Sequence, residues 1–402
     1  MPRTEPLTTP VDSAYARRIA FTLGFLAACG PFAVDMYLPG LPDVARELRT
    51  SLAAVQNTLA IYIFGLAFGQ VVWGTLCDRF GRRVPLLAGA VLFTAMAAVC
   101  AVTRSINTLL AARFFMGLGG SAGVVVSRAI VRDLFEEHEA ARCYSMMMII
   151  GGIGPIVAPF LGSLLLTYFN WRSIFWTVTG FGCLCVAALM RNIPETLAPE
   201  NRMRGHLMNV VRGYGRILVN GRFLAPALAV ACTTGILFTY IANSSYLFRE
   251  LFGVPVKYFG FLFATNSIGL YVAGQSNRLL LRHFTSDRLM RAGMWANLAM
   301  AALLTACAAT GLGGFPAVFI LLFLCLSTLG IIFPNATAMV MQPFGAEAGF
   351  ASAMLGILQY LISAAGGALI GLFQTGTPLP MAVQILAFGL VAKAMLLLTP
   401  RR

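Results

Sequence analysis

One carboxyl group, that of Asp35, lies deep within an apolar run of the chain, which extends from residue 18 to residue 39. An ionisable group inside a membrane span costs about 2.5–3.5 kcal/mol on insertion scales, so it is a candidate for function. A carboxyl whose surroundings alternate between dry and wet can take up and release a proton. We therefore predict that Asp35 carries protons; the alternative is an interfacial carboxylate near the end of this span.

A cation occurs at a comparable depth in the fourth apolar run, at Arg113. Both Asp35 and Arg113 are expected in the half of the membrane remote from the N terminus. Attraction between them should keep Asp35 ionised when no substrate is bound. The alternative is that Arg113 is a structural counter-ion that only holds the first and fourth spans together.

Uncharged polar side chains within four other apolar runs are candidates for substrate binding. They are Tyr62, Tyr240, Asn243, Asn266 and Gln359. Transporters built from two halves bind their substrates near the midplane, between the halves. A site so poor in charge suits neutral or weakly cationic amphipathic compounds, whereas the alternative for each residue is packing between helices.

The composition is that of a membrane protein. Of 402 residues, 58% are hydrophobic and 11% are charged, against about 25% charged in soluble domains. Apolar runs long enough to cross a bilayer, which requires about 20 residues, occur at 18–39, 52–77, 84–103, 106–130, 141–167, 171–190, 222–247, 257–281, 288–310, 314–340, 349–373 and 380–399. We predict an all-α polytopic membrane protein with twelve transmembrane helices.

The formal net charge of +14 indicates topology rather than nucleic-acid binding, because the basic residues separate the apolar runs instead of forming one basic face. Placing the N terminus in the cytoplasm puts most arginines of the loops on the cytoplasmic side. The basic residues left in the external loops are Arg46, Arg49, Arg104, Arg172, Arg249 and Lys257. We therefore predict that both termini are cytoplasmic.

The longest polar stretch divides the chain into two halves of six spans. We expect an N-terminal half at 1–190, a cytoplasmic linker at 191–221 and a C-terminal half at 222–402. Within the linker, apolar residues recur at helical spacing, which predicts an amphipathic helix on the inner leaflet. They are Leu207, Val210, Val211, Tyr214 and Leu218.

Histidine and cysteine do not form a recognisable site. His138, His206 and His283 fall in predicted loops, and Cys183 and Cys185 are two residues apart on a predicted helix, so their thiols face different sides. Neither a metal site nor a buried hydrolytic site is expected. We predict that the protein is not an enzyme and uses no cofactor.

The loop between the second and third runs carries the pattern G-x-x-x-D-R-x-G-R-R. Its residues are Gly74, Asp78, Arg79, Gly81, Arg82 and Arg83. The pattern resembles the signature loop between helices 2 and 3 of the major facilitator superfamily. The resemblance implies a gating loop on the cytoplasmic side. We expect Asp78 to hold the halves together, when the protein opens outward, at the N-terminal end of the eleventh span, where a helix carries partial positive charge.

Further segments resemble one branch of that superfamily. The fifth span contains Gly151, Gly154, Pro155, Pro159 and Gly162. The first span ends in the sequence Asp-Met-Tyr-Leu-Pro, at 35–39. In order and spacing these segments look like the bicyclomycin-resistance (Bcr/CflA) branch of drug:proton antiporters, whose fourth-helix arginine Arg113 matches. Ser163 departs from the antiporter motif, which usually has a second glycine there.

The resemblance implies a proton-coupled secondary transporter that exports small amphipathic compounds or drugs by alternating access. The alternatives are a facilitator or importer of a small metabolite on the same fold, or a membrane sensor without transport. The expected partners are a small-molecule substrate, protons and the lipid bilayer, but no nucleic acid. We expect a monomer in the bacterial cytoplasmic (inner) membrane.

Overall fold

The computed structural model describes residues 13–202, 207–373 and 375–398. The twelve long helices correspond to the twelve predicted runs, although α1 ends before its run does. They are α1 (Ser13–Val34), α3 (Leu52–Phe80), α4 (Arg83–Val102), α5 (Ile106–Leu134), α6 (Glu137–Tyr168), α7 (Arg172–Asn192), α9 (Gly221–Ser245), α10 (Val256–Leu280), α11 (Ser286–Thr310), α12 (Gly314–Met341), α13 (Ala348–Leu372) and α14 (Leu379–Leu397). Two short helices, α2 (Leu41–Glu47) and α8 (Leu207–Leu218), lie between them.

Eleven helical segments within the described part of the chain are long and apolar enough to cross a membrane. The remaining long helix, α10, has 25 residues and is more polar, since it carries Asn266, Gln275 and Asn277. Because twelve membrane helices alternate in direction, α1 begins and α14 ends at the same end of the bundle. We call this end the terminal face and the other end the opposite face.

The apolar run at 18–39 predicted one continuous first span, but the first helix ends before the run does. Helix α1 stops at Val34, three residues form turns, and a 3₁₀ segment (Leu38–Gly40) leads into α2. Pro39 and Pro42 lack the backbone N–H that a continuous helix would need, so this region cannot extend α1 without losing hydrogen bonds. Asp35 therefore lies just beyond α1, in the break.

Small residues bring α3 and α5 into close contact. A Cβ atom on Gly65 would lie 2.3 Å from the Phe114 carbonyl oxygen, and one on Gly117 would lie 2.1 Å from that of Tyr62. Such distances are possible only without side chains, as at other close helix crossings in membranes. The two glycines thereby fix Tyr62 beside Arg113.

The helices pack as two bundles that meet along two seams. In the first half, α3 packs on α5, α4 on α5 and α7, and α1 on α6; in the second, α9 packs on α13 and α14, and α12 on α10 and α11. Contacts between the halves follow α3 with α13 and α6 with α10. A site between the halves is consequently bordered by these four helices.

Candidate functional site

Arg113 is buried completely and is held by backbone carbonyls rather than by a carboxylate. Its Nη1 donates to the Ala33 carbonyl at 2.7 Å, and its Nε donates to the Thr58 carbonyl at 3.4 Å. The guanidinium carbon also lies 4.5 Å from the ring centroid of Tyr62 and 5.1 Å from that of Tyr37. Aromatic faces stabilise a desolvated cation, so this pocket can hold the charge.

The Ala33 carbonyl is free to accept because α1 ends at Val34. In a continuous helix it would accept from the backbone N–H of Tyr37, but that group donates to the Val34 carbonyl instead, at 3.2 Å. The last carbonyls of a helix carry partial negative charge. Arg113 thus caps the C-terminal end of α1 and ties it to α5.

The predicted attraction between Asp35 and Arg113 does not take the form of an ion pair. Within the described residues, the Asp35 carboxylate has no hydrogen-bond or ion-pair partner, although the residue is only 5% exposed. The structure therefore leaves Asp35 buried without a bonding partner among the described residues, and it directs Arg113 to the adjoining backbone.

Tyr62 and Asn266 each present a buried polar atom without a partner among the described residues. These atoms are the Tyr62 hydroxyl and Asn266 Oδ1. The Asn266 amide donates to the Tyr240 hydroxyl at 2.9 Å, and the Tyr240 ring stacks on Phe263 at 5.3 Å. A buried polar atom without a partner costs about 1–3 kcal/mol, so both atoms are suited to bind a ligand or water.

The other two substrate candidates lie elsewhere. Asn243 is buried one turn beyond Tyr240 on α9, whereas Gln359 donates to the Thr234 hydroxyl at 3.0 Å and so joins α13 to α9 within one half. Tyr360, the next residue along, lies on α13, the helix that packs on α3 across the seam. Sequence reasoning missed Tyr360; its position one residue from Gln359 on the same apolar run was the available signal.

One cavity of about 10 Å³ lies within the first half, between α1, α4, α5 and α7. Its walls include Cys29, Phe93, Gly120 and Cys185. Small-molecule sites enclose roughly 300–1,000 Å³, and the predicted substrate site lies between the halves. This cavity is therefore not the predicted site.

The signature loop is a charge network within the first half. Arg82 donates to Asp78 at 2.5 Å and to Asp133, at the end of α5, at 2.8 Å. Burial opposes the charged form, but these two bonds outweigh it and raise the pKa of Arg82. Asp78 is therefore bound by its own loop, whereas the sequence predicted an interaction with the eleventh span.

Glu195, in the segment after α7, completes this loop. Gly81 has a φ of +93°, and a Cβ atom there would lie 2.3 Å from Glu195 Oε2. Partial burial raises the pKa of Glu195, but bonds from the backbone amides of Leu197, Arg82, Arg83 and Thr196 lower it below its ordinary value. Sequence reasoning missed Glu195 because it lies in a polar linker without a repeating pattern.

The remaining loop residues lie at the edge of this network. Arg83 donates from Nη2 to the Met190 carbonyl at 2.9 Å, and Arg79 lies over the ring of Phe80 at 5.5 Å. A Cβ atom on Gly74 would lie 3.8 Å from the hydroxyl of Tyr214 on α8. The signature loop thus contacts the linker helix.

Contacts across the halves occur near the terminal face. The Tyr214 ring also meets Phe350 of α13, with centroids 5.3 Å apart, and Arg128 of α5 donates to the Ser352 hydroxyl at 3.2 Å. Helix α8 is therefore placed between α3 and α13. The predicted amphipathic helix is present, while its side chains at 207–212 lie outside the described residues, as do residues 203–206.

The two faces of α6 contact different halves. A Cβ atom on Gly154 would lie 2.9 Å from the Pro31 ring of α1, and one on Gly162 would lie 2.1 Å from the Met36 carbonyl oxygen. A Cβ atom on Gly151 would lie 3.8 Å from the Cβ atom of Ala27 on α1. This glycine face brings α6 against α1 and the segment that carries Asp35.

The backbone carbonyls at the two prolines of α6 face α10, where a Cβ atom on Gly260 would lie 2.9 Å from the Pro159 carbonyl oxygen. Pro159 has no backbone N–H, so the Pro155 carbonyl loses its donor within the helix. That carbonyl accepts a hydrogen bond from the Ser267 hydroxyl of α10 at 3.2 Å. Pro155 and Pro159 therefore stabilise the seam between the halves, and neither is a side-chain ligand.

Twelve membrane helices in two bundles, with buried polar groups at their junction, define a secondary transporter. The Major Facilitator Superfamily family model matches residues 23–368. The chain is 34% identical to "Uncharacterized MFS-type transporter YdgK" of Bacillus subtilis and 31% identical to "Bicyclomycin resistance protein homolog" of Haemophilus influenzae, in each case over 90% of both chains. The crystal structure of a D-xylose-proton symporter has the same fold, with a TM-score of 0.75 and 16% identity over 96% of this chain and 98% of that one.

The chain belongs to the major facilitator superfamily. The predicted family and the predicted fold, twelve transmembrane helices in two six-helix halves, are confirmed. The relatives and the family are transporters rather than enzymes, as predicted.

Proposed function

We propose that the protein is a proton-coupled exporter of small amphipathic compounds or drugs, and that Asp35 carries the proton. The observation that supports this role is the position of Asp35: a carboxylate in the break after α1, 5% exposed, with no bonding partner within the described chain. Such a group gains or loses a proton when water or a ligand reaches it. The name of the Haemophilus influenzae relative supports a drug as the substrate.

The substrate would bind at the junction of the halves, beside Asp35. Among the described residues, the Tyr62 hydroxyl and Asn266 Oδ1, which belong to opposite halves, have no hydrogen-bond partner, and the Asn266 amide also donates to the Tyr240 hydroxyl. A substrate and a proton would then compete for the same surroundings, which produces antiport without direct contact between them. Arg113 has a positioning role in this proposal, because it fixes the end of α1 from which Asp35 extends.

We further propose that the protein acts as a monomer in a bacterial inner membrane, with the terminal face in the cytoplasm. The arginine distribution supports this orientation. It is tested with an impermeant thiol reagent on intact cells, using single cysteines at Glu200 in the linker and at Leu312 in an opposite-face loop. Labelling of the Glu200 position in preference to the Leu312 position would show that the orientation is the reverse of the proposed one. The proposed division remains 1–190, 191–221 and 222–402.

The transport role is tested in two stages. A pump-deficient bacterial host with and without the chain is first exposed to a drug panel that includes bicyclomycin, which identifies a usable substrate. Reconstituted vesicles with an imposed pH gradient then compare the parent with Asp35→Asn and with Asp287→Asn, an exposed carboxylate paired with Arg291. Asp35→Asn should abolish accumulation against the substrate gradient, whereas Asp287→Asn should retain it. Uphill accumulation by well-folded Asp35→Asn protein would contradict the proton-carrier role.

A further inference from the structure

Arg249 joins the two halves at the opposite face. It lies in a π-helical turn, Tyr246–Leu251, that follows α9. Its Nη1 donates to Asp43 Oδ2 of α2 at 2.8 Å and also to the Pro39 carbonyl. The Arg249 side chain is 15% exposed, so solvent screens this ion pair less than one at the open surface. An arginine of the second half thus holds two groups of the first.

These contacts are close in sequence to Asp35. Pro39 belongs to the 3₁₀ segment that follows the break in α1, four residues after Asp35. Movement of Arg249 would therefore remove one of the contacts that hold the segment after Asp35. Single-turn π-helices of this kind occur frequently at functional sites.

Asp43 has a second cationic partner on its own helix. Arg46, three residues along α2, is also paired with Asp43, and its side chain is 71% exposed. When Arg249 leaves, Asp43 therefore retains a counter-charge. A charge left buried and unpaired would make separation costly; Arg46 removes that cost and makes the contact reversible.

We infer that Arg249 is a latch that closes the opposite face over Asp35. Opening of that face requires Arg249 to release the Pro39 carbonyl and Asp43, while Arg46 remains paired with Asp43. The inference rests on the alternating access proposed above, but it does not depend on which compound is transported or on which group carries the proton.

The test measures access to the junction of the halves. Ala242 is buried there, and its carbonyl accepts a hydrogen bond from Gln56 of α3 at 3.1 Å. Ala242→Cys in a cysteine-free parent serves as the reporter for an impermeant maleimide, applied to the opposite face of oriented vesicles. Arg249→Gln should raise the labelling rate by about tenfold or more, the effect expected from losing a charge-assisted contact. Arg46→Gln, which alters the same carboxylate within one half, should change the rate less than about twofold.

Equal labelling rates in Arg249→Gln, Arg46→Gln and the parent would overturn the inference. Arg249→Lys provides a second variant, because it keeps the charge but presents a single ammonium to the two acceptors; its labelling rate should lie between those of the parent and Arg249→Gln. If Arg249→Gln does not fold, a parental rate in Arg249→Lys overturns the inference. Labelling requires neither substrate nor a pH gradient. Fast labelling of the Arg249→Gln variant, together with no detectable drug export by the parent, would therefore contradict the proposed export and leave the latch supported.

Discussion

The charged residues of the site were visible in the sequence, but their partners were not. Asp35 and Arg113 are conspicuous because they interrupt apolar runs. Apolar pattern does not reveal where a membrane helix ends, and the end of α1 at Val34 exposes the carbonyl of Ala33 that Arg113 binds. The expected ion pair was therefore replaced by a bond to the backbone.

The Glu195 carboxylate stabilises the signature loop in a way that can be tested by titration. Its oxygens accept from four backbone amides, two in the loop after α3 and two in its own segment. Glu195→Gln removes one acceptor oxygen and the charge. The loss should lower the free energy of unfolding by about 1 kcal/mol or less, since the side chain is exposed to solvent.

The pH dependence has a definite sign. Because the folded pKa of Glu195 is lowered, its contribution is present above the pKa of an unfolded glutamate, about 4.3, and is lost as pH falls through the folded value. In detergent, the thermal unfolding midpoint of Glu195→Gln should therefore lie below that of the parent by a constant gap from pH 7 to pH 5. This gap between the midpoints should narrow below about pH 4. Glu200→Gln, in the same segment, is the control and should show no gap. A gap that widens on acidification would contradict this role.

At the level of elements, apolarity predicted the existence of every long helix but not the break in the first. The run at 18–39 continues through Pro39 because proline and glycine are compatible with a membrane span when neighbouring helices satisfy the backbone. The glycines and prolines of α6 were visible in the sequence. The partners of this helix, α1 on one side and α10 on the other, required the packed structure.

The two faces of α6 should differ in their tolerance of bulk. Gly154→Leu forces a side chain against the Pro31 ring, which a Cβ atom alone would approach to 2.9 Å. Gly152→Leu meets the edge of the Tyr271 ring at 3.5 Å, an ordinary contact with a side chain that can move. We expect Gly154→Leu to abolish transport and lower the folded yield, and Gly152→Leu to retain most of both. Drug resistance and size-exclusion profiles measure the two effects. Equal tolerance would show that α1 does not constrain this face.

At the scale of the whole molecule, the halves touch near both faces. Arg249 and Asp43 join them at the opposite face, and Arg128 with Ser352 joins them near the terminal face. Alternating access requires these contacts to separate in turn, because a site between two halves can open to one side only if the other side stays closed. The sequence predicted the two halves from the length of the linker, but contacts between distant residues leave no periodic signal.

A cross-link across the α3–α13 seam tests this requirement. A Cβ atom on Gly356 would lie 2.9 Å from Nε2 of Gln70, so cysteines at these two positions of a cysteine-free parent should be joined by a short bifunctional thiol reagent. The cross-link fixes the terminal face closed, and transport should fall to the level of empty vesicles. The Thr94 and Gly182 positions provide a matched pair inside the first half, where a Cβ atom on Gly182 would lie 2.4 Å from the Thr94 hydroxyl. Cross-linking that pair should leave transport largely intact, because the first half moves as one bundle. Full transport with the Gln70–Gly356 cross-link in place would mean that this seam does not open during the cycle.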